Sequence, residues 1–327
     1  MVAAPRVSVV MAAYNAADHI GKAIESLERQ TLPEWELVIV DDCSRDNTRE
    51  IVQSFKEKDA RIVYQRMAEN KGPATARNLG FALARGEWIT VLDSDDQYEP
   101  DRLRALLEQA TLHRADIVAD NLGLYDEAAG KIICRAFSFS GETLPLTARR
   151  LVDNDGPPRL AGLGHLKPFI RRSFWSESGV SYPEEIRLGE DFCFLFFLLE
   201  KTKNAVLLNR VGYLYTLPYS VVSGQPAVGS RTDYGCGGLV SMERANDLVV
   251  TRIARTPAGD PELFAALKEH RGRLEREKEW REVKQHLKQF ELLRAARLAA
   301  RSELAFVLSQ FLIVAKRKFG NYQTVIR

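Results

Sequence analysis

Trp88-Ile89-Thr90-Val91-Leu92-Asp93-Ser94-Asp95-Asp96 runs an apolar, β-branched segment straight into an acidic one. A short apolar run ending in turn-forming residues reads as a buried strand, so the carboxylates begin where the strand stops. The same arrangement recurs upstream. Val7–Ala13 reads as a first strand followed by Tyr14-Asn15, and residues 36–40 as a second, followed by Asp41-Asp42-Cys43-Ser44-Arg45-Asp46-Asn47. Residues 61–65 read as a third. Between these runs the pattern is helical. Asp18 is placed to cap a helix with Ile20, Ile24, Leu27 and Thr31 on one face, ended by Pro33, and Ile51, Val52 and Phe55 mark a second helix. Gly72-Pro73 opens a third helix and Gly86 closes it.

Strands alternating with amphipathic helices predict an α/β fold built on βαβ units, with a mostly parallel sheet and helices on both faces. In such sheets ligands bind at the carboxyl edge, where Tyr14-Asn15, Asp41-Asp42 and residues 93–96 all fall. Residues 100–113 read as a further helix, 116–119 as a strand and 190–199 as a strongly apolar helix. The stretch 141–182, rich in Gly, Pro and polar residues, is expected to form substrate-facing loops. The Gly-rich stretch up to Gly238 marks a boundary, beyond which the pattern is helical without a strand. The expected organisation is a domain over 1–225, in two halves (1–120 and 121–225), and a helical extension over 239–327.

A chain of 327 residues with 45% apolar and 28% charged residues has the composition of a folded protein, and a net charge of +2 gives no reason to expect a nucleic-acid partner. Its basic residues gather late. From Lys268 to Arg327 about 15 Lys and Arg face about 7 Asp and Glu, a balance of roughly +8. Cys43, Cys134, Cys193 and Cys236 form neither a CxxC pair nor a disulfide framework, which suits a reducing cytoplasm. The opening residues lack a signal-peptide core, and no run reaches the roughly 20 apolar residues of a membrane span. The expected location is cytoplasmic, with any membrane contact peripheral, at the cytoplasmic face of the inner membrane.

Carboxylates crowded at a strand end raise one another's pKa unless a cation neutralises them. Asp93, Asp95 and Asp96 therefore suit Mg2+ or Mn2+, which need only one or two carboxylates plus substrate phosphates. A solvated turn or helix N-terminus accounts for the same residues, and spacing alone leaves both readings open.

Val7-Ser8-Val9-Val10 with Tyr14-Asn15, then Val40-Asp41-Asp42-Cys43-Ser44, Asn70-Lys71-Gly72-Pro73-Ala74-Thr75-Ala76-Arg77-Asn78 and Leu92-Asp93-Ser94-Asp95-Asp96 together resemble family 2 glycosyltransferases of the GT-A fold. The resemblance implies that Asp42 accepts a hydrogen bond from a uracil-like base, that Tyr14 stacks on it, and that the Ala12 backbone lines the pocket. It further implies that Asp93, with Ser94 beside it, lies against the nucleotide-sugar, that Asp95 is the metal ligand, and that Lys71 and Arg77 neutralise phosphate or lock Asp93. Arg187-Leu188-Gly189-Glu190-Asp191 resembles the family's Glu-Asp motif, in which Asp191 is the general base. In isolation, an acidic pair stabilised by a helix N-terminus is the better account of these two residues, and it is the metal motif that favours catalysis.

Gly164-His165-Leu166-Lys167-Pro168, Phe169-Ile170-Arg171-Arg172 and Gly212-Tyr213-Leu214-Tyr215 are similar to a subgroup that extends succinoglycan-like repeat units in bacterial exopolysaccharide assembly. The chain departs from that subgroup after the second tyrosine. Thr216, Leu217 and Pro218 stand where Arg or His is common, so Lys167 or Arg187 is expected to meet the diphosphate instead. His165 reads as a structural or solvent-exposed histidine rather than a metal ligand. The resemblance implies an inverting transfer from a nucleotide-sugar, with UDP-glucose favoured, to a saccharide or lipid-linked oligosaccharide acceptor. Phe290, Leu293, Leu304, Phe306, Val307, Phe311, Leu312 and Val314, flanked by basic residues, suit either a lipid surface or helix packing in a homodimer. Competing classes are a nucleotidyltransferase, although Ala12-Ala13-Tyr14-Asn15-Ala16-Ala17 is not its Gly-rich phosphate loop, and a non-catalytic nucleotide-sugar-binding or assembly protein.

Overall fold

The segment Val7–Ala13 is buried along nearly its whole length, as a strand covered on both faces must be. It forms β1 of a computed structural model that describes residues 4–156, 161–217, 236–254, 260–288 and 324–325. After β1 come α1 (Ile20–Glu28), β2 (Trp35–Asp41), α2 (Thr48–Lys56), β3 (Ile62–Arg66), α3 (Pro73–Leu83), β4 (Trp88–Val91) and β5 (Gln97–Tyr98). The second part runs α4 (Arg102–Leu112), β6 (Ile117–Asp126), β7 (Lys131–Arg135), β8 (Phe137–Ser138), β9 (Thr143–Pro145), α5 (Ala148–Asp153), β10 (Phe169–Arg171), α6 (Arg172–Ser178), α7 (Glu190–Leu199) and β11 (Ala205–Thr216). Helices α8 (Cys236–Ala254) and α9 (Pro261–Lys288) and a short β12 (Thr324–Val325) complete it.

The main sheet has the order β3-β2-β1-β4-β10-β6-β11-β5. Strands β1 to β4 pair in parallel, as do β6 and β11, while the short β10 is antiparallel to both β4 and β6. The order reverses at β1, whose neighbours are β2 and β4. Their carboxyl ends open a crevice at that switch point, and it is there that Tyr14, Asp42 and Asp93 emerge. Helix α3 packs on β1 and β2, and α4 on β6.

Several expectations change. Asp18 does not cap α1, which starts after His19 with no side-chain cap. The span 141–182 is not merely loops, because β9, α5, β10 and α6 lie within it, each too short to show a period. The extension is not strand-free, since β12 pairs in parallel with β8. Helices α8 and α9 share the main core, to which Ala245, Val249, Ile253, Leu263, Ala266 and Leu267 belong. The apolar tail residues from Phe290 to Val314 lie outside the described residues. No helix among those described is long and apolar enough to cross a membrane.

Candidate active site

The turns after β1 and β2 are laced together before any ligand is considered. Ser44 Oγ accepts the Asn15 N–H at 2.9 Å, Asn15 Oδ1 accepts the Arg45 N–H at 2.7 Å, and Thr48 Oγ1 accepts the Ala16 N–H at 2.7 Å. Asp41 is a fastener. Its oxygens accept the Ser44 N–H at 2.8 Å and the Tyr64 hydroxyl at 2.6 Å.

Asp42 is buried, and its two oxygens accept the N–H groups of Lys71 and Gly72, each at 2.8 Å. Gly72 is the N-cap of α3 and has no side chain of its own, so Asp42 supplies the anionic acceptor that a helix N-terminus favours. Each carboxylate oxygen still has a second lone pair for a base N–H. The Lys71 ammonium is half exposed and pairs with Glu69 at 3.1 Å, away from this pocket. Ala12, Tyr14 and Ser94 are half-buried along the crevice.

The centre of the crevice is a cluster of two cations and three carboxylates drawn from distant parts of the chain. Arg77, 6% exposed on α3, reaches Asp93 at 2.7 Å, Glu190 at 2.7 Å and Asp191 at 3.3 Å. Lys167, 4% exposed, bridges Asp93 at 2.8 Å and Asp191 at 2.6 Å. Burial pushes the Asp93 pKa up, but Lys167 and then Arg77 outweigh it and hold the carboxyl well below the usual range. Burial lowers and the carboxylates raise the Lys167 and Arg77 pKa values; the carboxylates win, so both stay charged. Glu190 and Asp191 occupy the first turn of α7, where the helix N-terminus favours negative charge. Gly189, with φ +94°, turns the chain sharply into that helix.

The acidic run divides its labour. Asp96 is buried and accepts the Tyr213 hydroxyl at 2.7 Å and the Thr216 N–H at 2.7 Å, while the Asp93 N–H donates to the Tyr213 oxygen at 3.1 Å. Burial, then the charges of Asp95 and Asp93, push the Asp96 pKa well up. Asp96 thus ties β5 to β11. Asp95 is the exposed member, without an ion pair among the described residues. Crowding by the cleft and then the Asp93 charge raise its pKa.

That uncompensated carboxylate fits a divalent cation completed by substrate phosphates. It does not make a ready cage, because no group of three or more His, Cys, Asp or Glu among the described residues is arranged to hold a metal.

A supporting layer escapes any reading of the sequence by motif. Arg102, fully buried, makes a forked pair with Asp120 at 2.8 and 2.9 Å and donates to the Lys167 carbonyl at 2.9 Å. Its guanidinium lies over the Tyr98 and Tyr213 rings, 4.2 and 5.2 Å from their centres. One residue therefore orients both Lys167 and Tyr213. The available signal was faint: an Arg just past Pro100 and an Asp inside an apolar strand. Arg187 stands exposed, and His165 packs edge-on to Tyr215 at 5.7 Å.

A model of the family described as Glycosyl transferase family 2 matches residues 8–175, from β1 into α6. The succinoglycan biosynthesis protein ExoO of Rhizobium meliloti (strain 1021) is 36% identical over 222 residues, 67% of this chain and 63% of that protein. The chain thus spans just under two thirds of that relative. ExoU of the same organism is 32% identical over 73% of this chain and 68% of its own length. Among solved structures, S. aureus TarS 1-349 in complex with UDP-GlcNAc has a TM-score of 0.65 at 21% identity, over 82% of this chain and 72% of that one. The mannosyltransferase PcManGT from Pyrobaculum calidifontis, in complex with GDP-Man and Mn2+, has a TM-score of 0.58 at 17% identity, over 98% and 82%. These structures share the fold.

Proposed function

We propose, for a chain that belongs to glycosyl transferase family 2 and carries the GT-A fold, an inverting transfer of a sugar from a UDP-sugar to a saccharide acceptor. UDP-glucose is the favoured donor. The observation that carries this reading is the joining of Asp191 to Asp93 through Arg77 and Lys167, which brings a candidate base to the donor end of the sheet. Residues 1–120 would hold the nucleotide, with Ala12, Tyr14 and Asp42 around the base and Asp93 and Ser94 beside the ribose and diphosphate. Residues 121–225 would hold the acceptor. Lys71 would contribute through its N–H, which fixes Asp42, since its ammonium faces Glu69.

Asp191 would take the proton of the acceptor hydroxyl. The freed oxygen then forms a bond to the anomeric carbon from the face opposite the diphosphate, and the breaking C–O bond leaves its electron pair on the nucleoside diphosphate. Arg77 and Lys167 keep Asp191 oriented, and Lys167 would also meet the diphosphate. Asp95 is the residue that would hold Mg2+ or Mn2+, which when bound supplies Lewis-acid stabilisation of the leaving phosphate charge.

Relatives named for succinoglycan biosynthesis support a place in exopolysaccharide or other cell-surface polysaccharide synthesis. A lipid-linked acceptor at the cytoplasmic face of the inner membrane suits that role, as does a basic, apolar tail that meets lipid or a second copy.

The test is a donor screen that measures nucleotide release with Mg2+ or Mn2+, with and without membrane lipid extract. UDP release from a UDP-sugar that rises with the extract is expected; no binding or consumption of any nucleotide-sugar would end the proposal. Asp95→Ala is expected to weaken metal-dependent donor binding at least about tenfold. A metal response equal to that of the unaltered protein would return Asp95 to a turn.

A further inference from the structure

We propose that His270, on α9, is a positioning residue for the segment that carries Asp191 and Lys167, so that the C-terminal helices help set the rate of transfer. This rests on the assignment of Asp191 as the base.

His270 and Asp155 are each 2% exposed at the side chain, with Nε2 3.3 Å from Asp155 Oδ2. The other ring nitrogen, Nδ1, lies 2.9 Å from the Asn246 side-chain amide on α8. Asn246 Nδ2 is buried without a partner among the described residues. Turning that amide so that Nδ2 donates to Nδ1 lets a neutral ring, protonated on Nε2, donate to Asp155, and every buried donor is then used. Burial pushes the Asp155 pKa up, but the hydrogen bonds from His270 and from the Gly164 N–H act against it and the carboxyl stays low, so the acceptor is a carboxylate.

Asp155 in turn fixes the chain leading to Lys167. Its Oδ1 accepts the Gly164 N–H at 2.8 Å. A Cβ on Gly162 would fall 2.3 Å from that oxygen, and one on Gly164 2.6 Å from it and 3.1 Å from Phe192 Cβ. The loop is therefore pressed onto Asp155 on one side and onto α7 on the other.

The imidazole also touches the base segment directly. It stacks on Phe192, the residue after Asp191, with ring centres 5.1 Å apart and planes 10° apart. Helix α8 adds a clasp from the opposite side: Ser241 Oγ accepts the Leu188 N–H at 3.1 Å, and a Cβ on Gly189 would lie 3.0 Å from Ala245. One ring thus holds both neighbours of the catalytic cluster, from a helix that lies beyond the residues matched by the family model.

Misplacing a base or its partner by about an ångström costs up to roughly 10²-fold in rate without touching donor recognition. The full-length chain is compared with His270→Phe, His270→Gln and Asp155→Asn, using metal-dependent UDP release from UDP-glucose with membrane lipid extract as acceptor, donor titration and thermal unfolding. His270→Phe keeps the stack and loses the hydrogen bonds; its kcat is expected to fall about 10- to 100-fold with donor KM within about twofold. Asp155→Asn is expected to follow it. His270→Gln, which can still donate to Asp155, is expected to recover most of the loss.

An unchanged kcat in His270→Phe overturns the proposal, as does a His270→Gln no better than His270→Phe. If His270→Phe does not fold, an unchanged kcat in Asp155→Asn overturns it alone. If the unaltered chain consumes no nucleotide-sugar, the assignment of the activity itself has failed and this inference falls with it.

Discussion

Asp191→Asn is expected to lower the rate of sugar transfer by about 10²–10⁴-fold while leaving donor binding within a few-fold. The substitution preserves shape and removes a carboxylate of the cluster without leaving Asp93 unpaired. Lys167 keeps its contact with Asp93 at 2.8 Å, and Arg77 keeps Asp93 and Glu190, each at 2.7 Å. Two cations then face two carboxylates, so the fold should not suffer from uncompensated charge. Single-turnover transfer and donor titration, run side by side, separate the two effects. Turnover close to that of the unaltered protein would remove Asp191 as the base and leave it as an acidic helix start.

Arg77→Met carries the largest expected effect on stability, a loss of about 3–5 kcal/mol at neutral pH, because it strands buried carboxylates that the guanidinium now compensates. Lys167 alone would remain against Asp93, Glu190 and Asp191. The sign with pH follows from linkage. In the unaltered protein the Asp93 pKa is depressed, so its contribution is present above the unfolded carboxylate value near 4 and fades as pH falls through the folded value. In the variant Asp93 loses one of the two cations that hold its pKa down, and Glu190, already raised by burial, loses its compensating guanidinium, so these carboxylates take up protons on folding. Their penalty shrinks as pH falls from 7 toward about 5, while the unaltered protein changes little from this source. Urea unfolding midpoints at the two pH values should therefore converge, and a gap that stays constant would show that the lost stability is packing rather than charge.

Much of residues 1–120 was readable because the information there is local. Residues 88–96 place a buried strand against a carboxyl edge, and the repeats at Val7–Ala13 and 36–40 force the same edge on Tyr14 and Asp42. What local pattern cannot give is the direction of a side chain. Lys71 and Arg77 look alike as basic residues near a helix start, yet one faces Glu69 at the surface and the other is buried among three carboxylates. Nor does spacing reveal partners far apart in the chain. Arg77 and Glu190 are 113 residues apart, and Lys167 sits among Pro and Gly with no period to show which way it points. Residues 121–225 were least legible because their elements are brief. β10 has three residues and α5 six, fewer than a hydrophobic repeat needs.

The cluster around Arg77 and Lys167 also has an arithmetic of its own. With all five groups ionised it carries one net negative charge, and under the proposed mechanism that charge would disappear when Asp191 takes up the acceptor's proton. The nucleoside diphosphate would then leave beside a cluster that has become electroneutral. Turnover would require that proton to escape before the next acceptor could react, so solvent access to Asp191, 18% exposed, would become part of the catalytic cycle.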